Sequence, residues 1–314
     1  MNLALSKFPS KYLIAFIQKE YLRSMKVSTN RISDIRDYYT QQLAEIMEAK
    51  HAAFMVDSVV AFYSNVERMQ LALYPDKRVG ESLMLKIHFA VKDLLRNRPL
   101  QYVLGETEFC DLRLFVEEGV LIPRPETEEL VEKVIVEFQD TPNTKKILDV
   151  GTGSGCIALS LAKGIKSEVY AVDISGDAIR IANKNAKANK LNVEFLQLDI
   201  LDSTSLNNIP SNLDLIISNP PYVRNVEKQL MQANVLDYEP DLALFVEDDN
   251  ALVFYEAISK MAAIKLKLNG VLWFEINEYL SKETKNIVEQ SFENVQIFND
   301  YKGQPRFIRA QKTT

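Results

Sequence analysis

Histidine is nearly absent from this chain: His51 and His88 are the only two in 314 residues. Both stand in helix-like stretches with no cluster of other ligands around them, so they read as structural or surface residues. A Ser-His-Asp hydrolase and a histidine-ligated zinc enzyme are thereby disfavoured, and no metal is expected. Cysteine is equally scarce. Cys110 and Cys156 lie far apart and outside any metal-type spacing, and reduced thiols are the simpler expectation. No stretch approaches the ~20 consecutive apolar residues of a membrane-spanning helix, so no membrane partner is expected. The apolar run 13–17 follows Lys7 and Lys11, but it is shorter than the ~7–15 residues of a signal h-region and no small-residue cleavage site follows it. A cytoplasmic location is expected. A strong charge of one sign is missing too. The net charge is −6, which gives no broad surface for a polyanion and makes a nucleic acid an unexpected direct substrate, although a local basic patch is compatible with it.

What is present is ordinary for a globular protein: 47% hydrophobic and 25% charged residues, in a length that suits one large domain and a small one. Ile35, Tyr38, Tyr39, Leu43, Ile46 and Met47 recur at helical spacing and predict a helical run over 32–62. A second helix is predicted over 81–96, and Pro75, Gly80 and Pro99 punctuate the region. Residues 108–116 and 120–122, separated by Glu117-Glu118-Gly119, read as a short β-hairpin. Pro123-Arg124-Pro125 is a stiff segment before a helix over 126–138, whose first acidic residues suit the macrodipole. From Lys146 onward strands and helices alternate, with strands at 147–150, 169–173, 193–198, 213–218 and 270–276 and helices notably at 178–189 and 251–268. That rhythm predicts an α/β fold with a parallel sheet covered on both faces. Trp273 reads as core of the fifth strand. Residues 295–299 and 306–311 read as a terminal hairpin.

The chemistry-bearing residues fall at strand ends. Asp149-Val150-Gly151-Thr152-Gly153-Ser154-Gly155 follows the first strand and leads into a helix over 157–163. Glycines let the backbone turn sharply and approach a ligand, and the helix start offers free N–H groups. Cys156 stands where a dinucleotide fingerprint has its last glycine, and in isolation the segment also reads as a tight strand-to-helix turn. Asp173 ends the second strand, where a carboxylate can accept two hydrogen bonds from a ribose diol. Asp199 ends the third, placed for the amino group of a base, with Ile200 beside it for apolar contact. Read alone, either aspartate is also a helix cap. The turn Asn219-Pro220-Pro221-Tyr222 ends the fourth strand. Two adjacent prolines fix φ and remove two N–H groups, so the turn is rigid and its carbonyls remain free to accept. Asn219 adds a side-chain oxygen and an NH2 group, and Tyr222 a flat aromatic face. Such a cup suits a planar NH2 group. All four strand ends share the carboxyl edge of one sheet, where ligands bind in such folds.

Together, Gly151 to Gly155, Asp173 and Asn219-Pro220-Pro221-Tyr222 resemble class I S-adenosylmethionine-dependent methyltransferases of the amino-methylating branch. Gln101-Tyr102, Gly105, Glu108-Phe109 and Leu121-Ile122-Pro123-Arg124-Pro125-Glu126-Thr127-Glu128 narrow the resemblance to the release factor glutamine N5-methyltransferases, the PrmC/HemK family. Tyr238-Glu239-Pro240 with Ala243-Leu244-Phe245, and Asp300, Gly303 and Arg306 at their spacing, fit the same pattern. The resemblance spans about residues 25–312.

It implies a Rossmann-like seven-stranded methyltransferase domain over 123–314, a helical substrate-recognition domain over 25–100 and a β-hairpin linker over 101–122. It also implies transfer of a methyl from S-adenosylmethionine, leaving S-adenosylhomocysteine, to the glutamine of the Gly-Gly-Gln loop of class I peptide-release factors. Gly151, Thr152, Gly153, Ser154, Gly155, Asp173, Asp199, Ile200 and Asn219 would meet the cofactor. Asn219, Pro220, Pro221 and Tyr222 would hold the glutamine amide, with Asn219, Pro220 and Tyr222 as the catalytic set. The 123–128 segment would shape the cofactor entrance, and a monomer is expected.

The sequence departs from the family pattern in two places. Residues 246–250 lack the glycines that often follow the Ala-Leu element, so that loop is expected to differ in shape. Residues 1–24 precede the usual start, and Met25 is a plausible initiator. Four lysines and three arginines against Glu20 and Asp34 make residues 1–36 basic, which suits either an RNA-touching arm or, as preferred, a solvated extension. Three alternatives stand beside this reading. The Asn-Pro-Pro-Tyr turn also occurs in methyltransferases acting on ribosomal-protein glutamine and on adenine N6. A nicotinamide oxidoreductase is disfavoured by Cys156 and by that turn. A non-catalytic nucleoside-binding module is disfavoured because cofactor and acceptor elements are present together.

Overall fold

Apolar residues recurring every three or four positions between Ile32 and Leu104 build four helices around a shared core in the computed structural model, which describes residues 27–313. These are α1 (Ile32–Leu43), α2 (Ala49–Ser64), α3 (Glu81–Leu94) and the short α4 (Leu100–Leu104). Ile35, Leu43, Val56, Val60, Ile87 and Val91 are all buried in one cluster. The predicted single run over 32–62 is broken. Ala44 is still helical, but Glu48 is extended at φ −59 and ψ 137. Nearly every residue of 44–48 is a good helix former, so propensity does not mark the break. It follows from tertiary packing: both helices bury their stripes in the same cluster, which requires the chain to reverse. Ile46 is left exposed. The extension 1–24, Met25 and most of the basic stretch lie outside the described residues.

The chain divides into two compact units, one ending at Leu104 and one starting at Gly105. The second opens with a hairpin of β1 (Glu106–Phe109) and β2 (Leu112–Phe115). The predicted hairpin paired 108–116 with 120–122; the real turn lies inside the first of these, at Cys110 (φ 45) and Asp111 (φ 55). Two successive left-handed residues make the primed turn that matches strand twist. Cys-Asp is not the usual signature for it, and the Glu128 carboxylate supports it by accepting from the Cys110 N–H at 2.6 Å. Residues 120–122 form no strand.

Helix α5 (Pro125–Phe138) starts on Pro125, where a missing N–H costs nothing. Then β3 (Lys145–Val150), α6 (Cys156–Gly164), β4 (Ser167–Asp173), α7 (Gly176–Asn189), β5 (Glu194–Gln197) and β6 (Leu213–Ser218) alternate. β7 (Val223–Arg224), α8 (Ala233–Tyr238), α9 (Asp241–Leu244) and β8 (Phe245–Val246) form an insertion in which β7 and β8 pair. α10 (Val253–Lys265), β9 (Leu266–Glu275), α11 (Ser281–Val288), β10 (Glu293–Asn299) and β11 (Pro305–Gln311) complete the chain.

Seven strands form one sheet in the order β10-β11-β9-β6-β3-β4-β5, parallel except that β11 runs antiparallel to both neighbours. Adjacent residues of a strand feed opposite faces. Ile217 and Trp273 enter the core under α5 and α6, while Ile216 and Phe274 enter the one under α10. Trp273 is 3% exposed and donates its indole N–H to Glu137 at 3.0 Å, as befits a core residue with one polar atom. The order places β3 beside β6, and the chain leaves these two strands in opposite directions. The switch point, where a crevice opens in such sheets, is therefore at their carboxyl ends.

Candidate active site

A cavity of about 360 Å³ opens at that edge, within the range of small-molecule sites. Gly151, Gly153, Asp173, Asp199, Ile200 and Asn219 line it, together with Pro220 and Pro221. A wider groove of about 900 Å³ runs along α5; Pro125, Glu128 and Trp273 line it, but none of the residues expected to meet the cofactor or the acceptor does.

The cofactor side is shaped by backbone conformation. Gly151, Gly153 and Gly155 have φ of 75, 54 and 83, values that cost an L-residue roughly 1–2 kcal/mol. The N–H groups of Gly151 and Thr152 both donate to the Val172 carbonyl, at 2.9 and 3.0 Å, folding the loop over β4. Asp173 accepts from the Gly153 N–H at 2.8 Å and from the Ser175 N–H at 2.9 Å, one on each oxygen. Burial raises its carboxyl pKa, and these backbone bonds oppose the rise. Each oxygen keeps a lone pair for a ligand hydroxyl. Asp199 uses Oδ1 to accept from the Leu201 N–H at 2.9 Å.

Thr152, Ser154 and Gly155 do not line the cavity. Each is tied into the scaffold. The Thr152 hydroxyl donates to the buried Asp149 at 2.6 Å, and the Ser154 carbonyl accepts from the Asn185 amide at 2.8 Å. A Cβ on Gly155 would stand 3.2 Å from Ala182 and 3.3 Å from Leu159. Burial pushes the Asp149 carboxyl up to about 7 and the Cys156 thiol up to about 12, so Cys156 is a packed thiol.

Part of the far wall went unassigned in the sequence. Val120, Leu121, Pro240 and Ala243 belong to it. Glu239 joins its two segments, accepting from the Ile122 N–H at 3.1 Å and from the Arg124 guanidinium at 2.6 Å. The 123–128 segment thus reaches the cavity rim through an ion pair, and also through Thr127. The loop 246–250, expected to differ in shape, forms a 3-10 turn at Asp248–Asn250 whose Asp248 accepts from the Val226 N–H at 3.2 Å.

The acceptor side is shaped by side chains. Ser218 donates its hydroxyl to the Val150 carbonyl at 2.7 Å, tying the end of β6 to β3. The Asn219 Nδ2 donates to Thr127 Oγ1 at 3.0 Å. Thr127 Oγ1 in turn donates to Glu275 Oε2 at 2.7 Å. Tyr222 does not line the cavity: its hydroxyl donates to Glu275 Oε1 at 3.1 Å, and its carbonyl accepts from Asn277 at 3.0 Å. Burial, and then the neighbouring Glu275 carboxylate, push the Tyr222 phenol far above its ordinary pKa. Thr127 and Glu275 carried no isolated signal in the sequence. Thr127 stood only as one letter of the Arg-Pro-Glu-Thr-Glu stretch.

This arrangement fits a nucleoside-bearing cofactor: two carboxylates for hydroxyl and amino donors, Ile200 for a base, and a glycine loop that a Cβ would strain. Beside it stands a rigid acceptor of hydrogen bonds. Among the described residues no cluster of metal-ligating side chains exists, and no helix is long and apolar enough to cross a membrane.

Residues 129–237 match the family described as Methyltransferase small domain. The chain is 43% identical over 283 residues to the release factor glutamine methyltransferase of Flavobacterium psychrophilum, covering 89% of this chain and 98% of that one. It is 35% identical to the protein of the same name from Bacteroides thetaiotaomicron, over 88% of this chain and 99% of that one. Among solved structures, the release factor-specific protein-(glutamine-N5) methyltransferase of Alicyclobacillus acidocaldarius aligns with 25% identity and a TM-score of 0.38, covering 63% of this chain and 99% of that one.

Proposed function

The chain belongs to the release factor glutamine methyltransferases, and on that premise we propose that it methylates the side-chain amide nitrogen of the glutamine in the Gly-Gly-Gln loop of class I peptide-release factors, using S-adenosylmethionine. The cofactor supplies an electrophilic methyl group on a sulfonium; the residues of this chain do the rest. Gly151, Gly153, Asp173, Asp199 and Ile200 hold the cofactor at the sheet edge. Asn219 and Pro220 hold the acceptor.

The observation that carries this reading is the engagement of the Asn219 side chain. Its NH2 group is bound to Thr127, which leaves Oδ1 for an incoming N–H. With the Pro220 carbonyl, Oδ1 can accept both hydrogens of a primary amide. An amide nitrogen is a poor nucleophile because its lone pair is delocalised into the carbonyl. Two acceptors on its hydrogens raise its electron density and fix it in line for displacement, where orientation supplies much of the acceleration. Positive charge that develops on the nitrogen faces the same two oxygens. Tyr222 keeps its proton at neutral pH and so acts by position, not as a base. Both histidines lie in the helical unit. The amide proton is strongly acidic once the nitrogen is methylated and needs no histidine to leave.

Tandem mass spectrometry of a class I release factor, incubated with this protein and S-adenosylmethionine, tests the proposal. One added methyl on the Gly-Gly-Gln glutamine is expected. A release factor that stays unmodified while the protein binds the cofactor would overturn the choice of acceptor.

A further inference from the structure

Glu275 is a carboxylate that the reaction does not call for. It ends β9, is 1% exposed, and is packed beneath the acceptor turn. An ionised carboxylate so placed is tolerated only where donors satisfy it. Two do: the Thr127 hydroxyl on Oε2 and the Tyr222 hydroxyl on Oε1.

We propose that Glu275 sets the direction of the hydrogen bond at Asn219, with Thr127 as the link, and is thereby a positioning residue for methyl transfer. A carboxylate only accepts. At 2.7 Å from Oε2, the single hydroxyl proton of Thr127 is committed to Glu275. Thr127 Oγ1 can then offer Asn219 nothing but a lone pair, so Asn219 must turn its NH2 toward Thr127 and its Oδ1 away. That is the orientation an incoming amide needs. Were the Thr127 proton free, Asn219 could rotate by half a turn and present NH2 to the NH2 of the acceptor, donor against donor. Tyr222 occupies the second carboxylate oxygen and holds the carboxylate plane. The relay joins α5, the turn after β6 and the end of β9, so the fold itself fixes its polarity.

The groups facing the Glu275 carboxylate are few. Tyr222 comes from the turn and Thr127 from α5, with Glu126 beside it. Arg306 faces it from β11, itself paired with Asp300 at 3.3 Å and Glu278 at 3.0 Å. From α10, the Tyr255 hydroxyl donates to the Glu275 backbone carbonyl at 3.1 Å. Burial raises the Glu275 carboxyl above its ordinary pKa, and the Thr127 and Tyr222 bonds oppose that rise.

This inference rests on the amide acceptor proposed above. The test compares wild type, Thr127→Val, Thr127→Ser and Glu275→Leu, measuring kcat and KM for a release factor and calorimetric Kd for S-adenosylmethionine. Thr127→Val is expected to lower kcat by about 10- to 100-fold, the scale of a misoriented reacting group, with cofactor Kd within about twofold. Thr127→Ser, which keeps the hydroxyl, is expected to retain kcat within about threefold. Glu275→Leu, which removes both acceptor oxygens, is expected to lose kcat as Thr127→Val does, and wild-type kcat in it would overturn the role of Glu275; if it fails to fold, the Thr127 pair decides alone. Wild-type kcat in Thr127→Val, or an equal loss in Thr127→Ser, would overturn the inference while leaving the functional reading intact. Absence of transfer by the wild type would remove both.

Discussion

The glycine-rich loop after β3 takes its shape largely from its own backbone, whereas the Asn219 side chain in the turn after β6 is oriented by side chains far away in sequence. In the loop, three glycines adopt left-handed φ, and Thr152 and Asp149 bond across three residues. At the turn, Asn219 is held by Thr127 across 92 residues, and Thr127 by Glu275 across 148. The two sides line one cavity, yet damage to them should differ in kind. Loop changes should weaken cofactor binding and folding. Turn changes should slow transfer in a protein that still folds and binds.

The largest effect is expected from Asn219→Ala. Losing one preorganised partner of the reacting group costs about 10²–10³-fold in kcat, and calorimetry should find cofactor affinity nearly unchanged. Wild-type turnover in that variant would break the contrast. Asp173→Ala comes next. It removes a carboxylate that accepts from the Gly153 N–H of the loop and from the Ser175 N–H of the turn after β4, and charge-assisted bonds of this sort are worth about 1.5–3 kcal/mol. Cofactor Kd should rise by roughly 10- to 100-fold, with kcat largely recovered at saturating cofactor.

Gly155→Ala sharpens the comparison further. The left-handed φ of 83 and the neighbours at 3.2 and 3.3 Å should lower unfolding free energy by about 1–3 kcal/mol, read by urea melting. Gly153→Ala, whose added Cβ meets nothing within 4 Å, carries the φ strain alone and should cost less.

Stability should also depend on pH. The folded Asp149 carboxyl is raised from 3.8 to about 7, so between those values the folded protein holds a proton that the unfolded chain has released. Its contribution to stability therefore falls as pH rises through this window, by at most about 1.4 kcal/mol per pH unit. Asp149→Asn should lose less stability than wild type between about pH 5 and pH 7, a window set by that titration. An equal loss in urea melts would assign the slope to other groups.

The same contrast explains what was legible in the sequence. Gly151, Gly153, Asp173, Asp199 and the Asn-Pro-Pro-Tyr turn are local patterns at strand ends, and the sheet order brings them to one edge as the strand–helix rhythm predicts. Thr127 and Glu275 become partners only because α5 packs near the ends of β6 and β9, a relation no local window contains. Thr152, Ser154 and Gly155 sit inside the glycine pattern but away from the cavity, because the loop folds back over β4. The break at 44–48 and the turn at Cys110-Asp111 were hidden for a related reason. The first uses no turn residue and the second lacks the usual glycine, and both are imposed by what packs around them.

The most direct measurement sets Asp173→Ala beside Asn219→Ala, with calorimetric cofactor binding and single-turnover methyl transfer at saturating cofactor on the same preparations. The account predicts weak binding with near-normal transfer for Asp173→Ala, and normal binding with transfer down by at least about 10²-fold for Asn219→Ala. Loss of the same parameter in both variants would contradict it.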